Sequence, residues 1–352
     1  MAFFDNALGA DESVFLDLDV LNFDHQPTLV PFRESHQFKI AECIKPLFSK
    51  RPGKNLLIHG GPGVGKTVSL KHVLKEIEEE GMDDQVIPIY VNCWKKDTSY
   101  KLALELCENL GYRFTMNKNT DALLKEVVKM LNKVGAVICL DEADKLKDVD
   151  ALYSLTEDVN KKTIILVTND HSWFHNLDSR LKSRISVEEL EFAPYSFDEV
   201  KEILKQRCGF ALSPDVLDDS AFDLIANRTF ESKDLRRGLN FIREAGTIAE
   251  SSSSKKILLS HATQACRRLS EKNVKEDKFD SEEKNILEML KENKEERLTD
   301  FYDKFKEKNP NYDKSYKTFK RVIDDLEKTG VIKKKKGSSE KGGNVTLVEY
   351  MS

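Results

Sequence analysis

The chain has 352 residues, 39% of them hydrophobic, and a formal net charge of −5. That length holds two or three domains with real cores, and the mild acidity of the whole argues weakly against a nucleic-acid partner. Six scattered cysteines without a C-x-x-C pair argue against a zinc site or a disulfide framework, and no run of ~20 apolar residues and no basic-then-apolar leader is present, so a cytoplasmic protein without a membrane partner is expected.

In chain order, the first strand-like run is Leu56–His59. It leads into Gly60-Gly61-Pro62-Gly63-Val64-Gly65-Lys66-Thr67, which fits G-x-x-x-x-G-K-[ST] at every fixed position. The glycines let backbone N–H groups turn inward around a phosphate, Lys66 can neutralise β/γ-phosphate charge, and the Thr67 hydroxyl can ligate Mg²⁺. With Val68, these residues make the phosphate side of a candidate ATP/ADP site. A helical pattern, Thr67–Glu80, is followed by a strand at Val86–Val91 and helices at Ser99–Leu110 and Asp121–Leu131. The apolar strand Ala136–Leu140 then delivers Asp141 and Glu142, the first suited to Mg²⁺ and the second to water activation. Strand Ile164–Thr168 ends at Asn169, which either orients a lytic water or caps the next helix. Arg180 and Arg184 lie four apart on a helical face before the strand Val187–Phe192, where they reach a neighbouring subunit's phosphate or form a solvated basic face. The fold class expected is α/β, a five-stranded parallel sheet with helices on both faces, within residues 1–194.

Ser196 and Glu199 form a capping box for a helix Phe197–Arg207. Ser213-Pro214 opens a second helix through Asn227, Asp234–Glu250 is a third and Ser260–Leu269 a fourth, giving an all-helical domain over 195–270. Tyr195 is either a nucleotide contact or a hinge-packing aromatic. Arg207 can reach the nucleotide from the lid, and one arginine of Arg236-Arg237 either reaches the γ-phosphate or makes a helix-surface salt bridge. Residues 271–281 read as a polar linker. Over 282–352, helices Asp280–Leu290, Leu298–Lys308 and Ser315–Lys328 precede a hairpin, Val331-Ile332 with Val345–Val348 around Gly337–Gly343, in a winged helix-turn-helix pattern. Ten Lys/Arg stand against four Asp/Glu between Lys314 and Lys341. The candidate DNA contacts are Lys314, Ser315, Tyr316, Lys317, Lys320 and Arg321 around the third helix. On the wing they are Lys333, Lys334, Lys335, Lys336 and Lys341.

The segments GGPGVGKT, AVICLDEAD, TND, LDSRLKSR, APYSFDEVKEILKQR and KDLRRGLNFIREAG follow one another as in AAA+ ATPases. With PTLVPFRESH, VNCWKKDTSYKLALEL and the winged helix, the chain resembles the archaeal origin-recognition/cell-division-control initiators from about Leu21 to Tyr350. The resemblance implies Asn169 as sensor one, Arg184 with Arg180 as the arginine finger, and Arg236 as sensor two. It also implies Tyr195 and Arg207 at the nucleotide, Val30 to Arg33 near the base, and a DNA contact at Trp94–Leu104. Expected partners are duplex origin DNA, the replicative helicase and neighbouring initiator subunits, with slow ATP hydrolysis acting as a switch. Two departures stand out: Lys233 replaces the usual glycine of the sensor-two motif, and the connection Leu146–Asn160 is short. A clamp-loader-type ATPase would carry a helical collar in place of a basic wing. A regulatory or transposition-type ATPase would direct its helix-turn-helix to other DNA or to a protein.

Overall fold

Five short strands form one parallel sheet: Asn55–His59 (β1), Val86–Asn92 (β2), Gly135–Asp141 (β3), Lys162–Thr168 (β4) and Val187–Glu191 (β5), in the order β2-β3-β4-β1-β5. All seven residues of β3 are buried, as a strand covered on both faces must be. Strand β5 takes an edge, and its Glu188, Glu189 and Glu191 protect that edge from pairing. The structure, a computed structural model, describes residues 13–81, 85–276, 281–292, 295–309, 312, 314–328, 332–338 and 344–350, and it forms two compact units, 1–266 and 267–352.

On one face of the sheet, Glu34–Ile44 (α1) and Lys66–Glu79 (α2) bury Ile40, Ile44, Leu70 and Val73 against Leu56, Ile58, Cys139 and Val167. On the other, Ser99–Asn109 (α3), Thr120–Leu131 (α4) and Asp150–Asp158 (α5) bury Leu106, Val127 and Leu155 with Leu57, Ile138 and Leu166. Fully burying one such aliphatic side chain contributes about 1.5–3 kcal/mol. The short connection Leu146–Asn160 thus holds a helix of its own, α5. His171–His175 (α6) and Ser179–Ile185 (α7) link β4 to β5. Asp170, not Asn169, caps α6 by accepting the Ser172 N–H.

The lid consists of Phe197–Ala211 (α8), Asp219–Ser232 (α9), Leu235–Ser251 (α10) and Leu259–Glu276 (α11). The capping box forms as the spacing predicts: Ser196 N–H donates to Glu199 Oε2 at 2.7 Å and Glu199 N–H to Ser196 Oγ at 3.3 Å. Two expectations need correction. The second helix starts at Asp219 with Asp218 as its cap, because Leu217 is drawn into a bridge with Ile257 before the helix can begin. Helix α11 continues to Glu276, so most of the stretch expected as linker is helical; residues 277–280 lie outside the described residues. Residues 13–21, grouped by sequence with the sheet domain, pack on the lid. Phe15 bridges Leu212, Ser13 Oγ donates to Glu250 Oε1 at 2.6 Å, and the Phe15 ring fills the space beside Gly246.

In the second unit, Ser281–Glu292 (α12), Leu298–Lys308 (α13) and Tyr316–Lys328 (α14) pack with Ile332–Ser338 (β7) and Asn344–Tyr350 (β8). A third strand, Glu295–Arg297 (β6), was not legible in the sequence; it pairs with β8 to give the antiparallel order β6-β8-β7. Phe301, Phe305 and Phe319 lie 5.3–6.4 Å apart between ring centroids at the centre of this core. Most of the expected wing turn lies outside the described residues, but Gly337 and Ser338 belong to β7.

Candidate functional site

Strand β1 ends where the sheet's connections part to either side, the position at which parallel sheets bind ligands. The loop there is forced into shape by its glycines. Gly63 and Gly65 have φ of +66° and +94°, the left-handed region. A Cβ on Gly65 would sit 2.5 Å from the Tyr195 hydroxyl, and one on Gly63 1.7 Å from Asp234 Oδ1. The free N–H groups at the start of α2 and the helix dipole favour an anion at this point.

Lys66 is buried, and its ammonium donates to Gly60 O at 2.9 Å, Gly61 O at 2.7 Å and Asn169 Oδ1 at 2.7 Å. Burial pulls its pKa down to about 8 despite the opposing pull of Asp141. Thr67 Oγ1 and Tyr90 Oη both donate to Asp141 Oδ2 at 2.7 Å, while the Glu142 N–H holds Asp141 Oδ1 at 2.9 Å. Glu142 itself has φ of +54°, a strained conformation for a residue with a side chain. Burial, then Asp141 and Asp144, raise its carboxyl pKa above the ordinary value.

These groups line one cleft of about 870 Å³ between sheet and lid. Pro62, Gly63, Val64, Gly65, Lys66, Thr67 and Val68 form its phosphate end with Asp141, Glu142 and Asn169. Val30, Tyr195, Arg207 and Arg236 line it from the N-terminal segment and the lid. Arg236 is held by both oxygens of Asp234, at 3.0 and 2.9 Å, and the Leu235 N–H reaches Gly63 O at 3.4 Å, so the start of α10 rests on the phosphate loop. The preceding Lys233 adopts φ of +54° as the cap of α9, which gives the physical reason a glycine suits that position.

Arg33 is a correction. It does not line the cleft: its guanidinium donates to Val64 O at 3.0 Å and Ala193 O at 2.6 Å and stacks 4.0 Å from the Tyr195 ring centroid. It buttresses the loop from behind, and Tyr195 is both a packing aromatic and a wall of the cleft. Arg180 and Arg184 sit exposed on α7, away from this cleft, and Arg184 pairs with Glu157 and lies 5.5 Å from the Tyr153 ring. Tyr90 and Asp234 were missed. Nothing in a strand tyrosine announces a bond to Asp141, whereas Asp234, two residues before Arg236 at a helix start, could have been read as its clamp.

In the second unit, α14 buries Phe319, Ile323 and Leu326 and exposes Ser315, Tyr316, Lys317, Thr318, Lys320 and Arg321 at its N-terminal end. That is the amphipathic split expected of a groove-entering helix. The wing differs from expectation. Strand alternation sets Lys334 on the α14 side, where its ammonium meets Asp324 Oδ1 at 2.5 Å and Glu327 Oε2 at 2.7 Å. Lys335 pairs with Glu349 at 2.6 Å, and Lys314 with Glu282. Lys333 is exposed; the side chain of Lys336 and the whole of Lys341 lie outside the described residues.

A parallel sheet with this loop, two strand-end carboxylates and a helical lid defines an AAA+ nucleotide-binding protein. Residues 50–170 match the AAA domain family and residues 201–267 the Cdc6 AAA+ ATPase-type lid domain. The chain is 32% identical over 283 residues to an ORC1-type DNA replication protein of Archaeoglobus fulgidus, covering 76% of this chain and 69% of that protein. It is 33% identical over 264 residues to one of Sulfurisphaera tokodaii, covering 72% and 66%. The chain belongs to the ORC1-type DNA replication protein family, and it matches about two thirds of these relatives' length. The fold is similar to that of the Aeropyrum pernix ORC1 protein in complex with DNA, with a TM-score of 0.72, 26% identity and coverage of 96% of this chain and 93% of that one.

Proposed function

We propose that this protein is an ATP-controlled replication initiator that binds duplex origin DNA and helps recruit the replicative helicase. The observation that carries the reading is the exposed basic face of α14 (Lys317, Lys320, Arg321) in a chain that also builds a complete phosphate site. Phosphate contacts by lysines position a duplex, and only Arg321 has the fork for a guanine edge. Trp94, 65% exposed ahead of α3, is the candidate second DNA contact.

In the cleft, Lys66 and the loop N–H groups bind the β/γ-phosphates and Glu142 takes the proton of the attacking water. Asn169 orients that water and Arg236 couples the γ-phosphate to the lid. Thr67 Oγ1 and Asp141 Oδ2, already 2.7 Å apart, are the groups that would hold Mg²⁺, whose chemistry when bound is to neutralise phosphate charge. Arg184, facing away from its own cleft, serves a neighbouring subunit, and slow hydrolysis resets lid geometry.

The test is fluorescence anisotropy of the full chain with ATP on duplexes from intergenic regions of the source genome and on scrambled controls. Tighter binding to particular intergenic duplexes supports the reading. Equal, weak binding to all of them would move the second unit toward a protein partner, the regulatory or transposition-type alternative.

A further inference from the structure

Outside the nucleotide cleft, two of the chain's seven histidines, His59 and His171, converge with Glu189 so that their nitrogen and oxygen atoms all lie within 4.8 Å of one another, and His175 lies beside them. His59 ends β1, His171 and His175 sit one turn apart on α6, and Glu189 lies on the edge strand β5. His171 Nε2 is 3.0 Å from Glu189 Oε2 and 3.3 Å from His175 Nε2. His59 Nε2 is 4.0 Å from Glu189 Oε2, and His175 Nε2 is 3.9 Å from Glu189 Oε1. The rings of His59 and His171 face each other with centroids 4.1 Å apart.

We propose that His59, His171 and Glu189 bind one borderline-soft divalent transition-metal ion of the zinc class. Ligand atoms about 2.0–2.2 Å from a tetrahedral ion lie roughly 3.3–3.5 Å from one another, between the 3.0 and 4.0 Å that separate His171 Nε2 and His59 Nε2 from Glu189 Oε2. Two imidazoles and one carboxylate select zinc-like ions over Mg²⁺ and Ca²⁺, which take oxygen donors. The pair on α6 is at i and i+4, so both rings leave the same helix face. Three protein ligands leave one tetrahedral position for a water. The cysteines, whose scatter argued against zinc, take no part. None of the three ligands lines the nucleotide cleft, yet His59 directly precedes Gly60 and His171 follows Asn169 by two residues. The ion therefore braces two strand ends that carry nucleotide contacts.

The experiment uses the full-length protein, stripped with a chelator and returned to chelator-free buffer, and titrated with Zn²⁺ against a chromophoric competitor. One equivalent per chain is expected, weakened at least about tenfold in the double variant His171→Gln/His175→Gln and unchanged in His261→Gln, a histidine elsewhere in the lid. Zn²⁺ is expected to raise the melting temperature of the wild type but not that of the double variant, whose own cooperative melt shows that it is folded. Cobalt(II) should give the visible bands of tetrahedral coordination in the wild type alone. No stoichiometric binding, equal affinity in the double variant, or equal competition by Mg²⁺ would overturn the proposal.

Discussion

Lys66 sets the electrostatics of the nucleotide site, because its ammonium is buried among loop carbonyls and Asn169. Lys66→Ala should weaken ATP binding about ten- to hundredfold, the worth of hydrogen bonds to a charged group, as read by calorimetry. Its pKa of about 8 adds a pH dependence. Below that pH the free protein already carries the charge; above it, ATP binding must take up a proton. Affinity should fall by up to about tenfold per pH unit above 8 in wild type, and flat behaviour there would contradict the assignment. Glu142→Gln should leave binding intact and slow single-turnover hydrolysis by about 10²–10⁴. Because the Glu142 carboxyl pKa is raised, wild-type hydrolysis should fall with acidification at a higher pH than an ordinary carboxylate would give.

At the scale of elements, α14 and β7 split the lysine run into paired and exposed residues. The charge run Lys333–Lys336 looked uniform in sequence, but strand alternation turns Lys334 inward to Asp324 and Glu327. Alanine at Lys334 should therefore destabilise the second unit more than it weakens DNA binding. Alanine at Lys317 and Lys320 should weaken all duplexes alike and flatten the log–log salt slope by about 0.9 for each phosphate that is no longer neutralised. The sheet was legible because β1 to β4 are apolar on both faces, and the phosphate loop because its spacing admits few alternatives. The extension of α11 was not, since polar lysine-rich residues suit helix and linker equally. Strand β6 was too short to show a period. The role of Arg33 was also hidden: its partners Val64 O and Ala193 O are backbone atoms, which no motif records.

In the whole molecule, the nucleotide cleft and the proposed DNA contacts on α14 belong to separate units that need not share a fate. Phe319→Ala should cost the second unit about 3–5 kcal/mol and abolish DNA binding, while ATP binding by the first unit persists. Arg184→Ala should leave the ATP affinity of the isolated chain unchanged and reduce hydrolysis only in assemblies, by as much as about 10³–10⁵. A drop in affinity in the monomer would mean that its pairing with Glu157 is structural instead. The most direct measurement of the central claim is footprinting of the ATP-bound full chain across the source genome. Protection at one or a few discrete intergenic sites, abolished in the variant Lys317→Ala/Lys320→Ala/Arg321→Ala while ATP binding is retained, is the expected result. Protection at no discrete site, or an unchanged footprint in that variant, would contradict it.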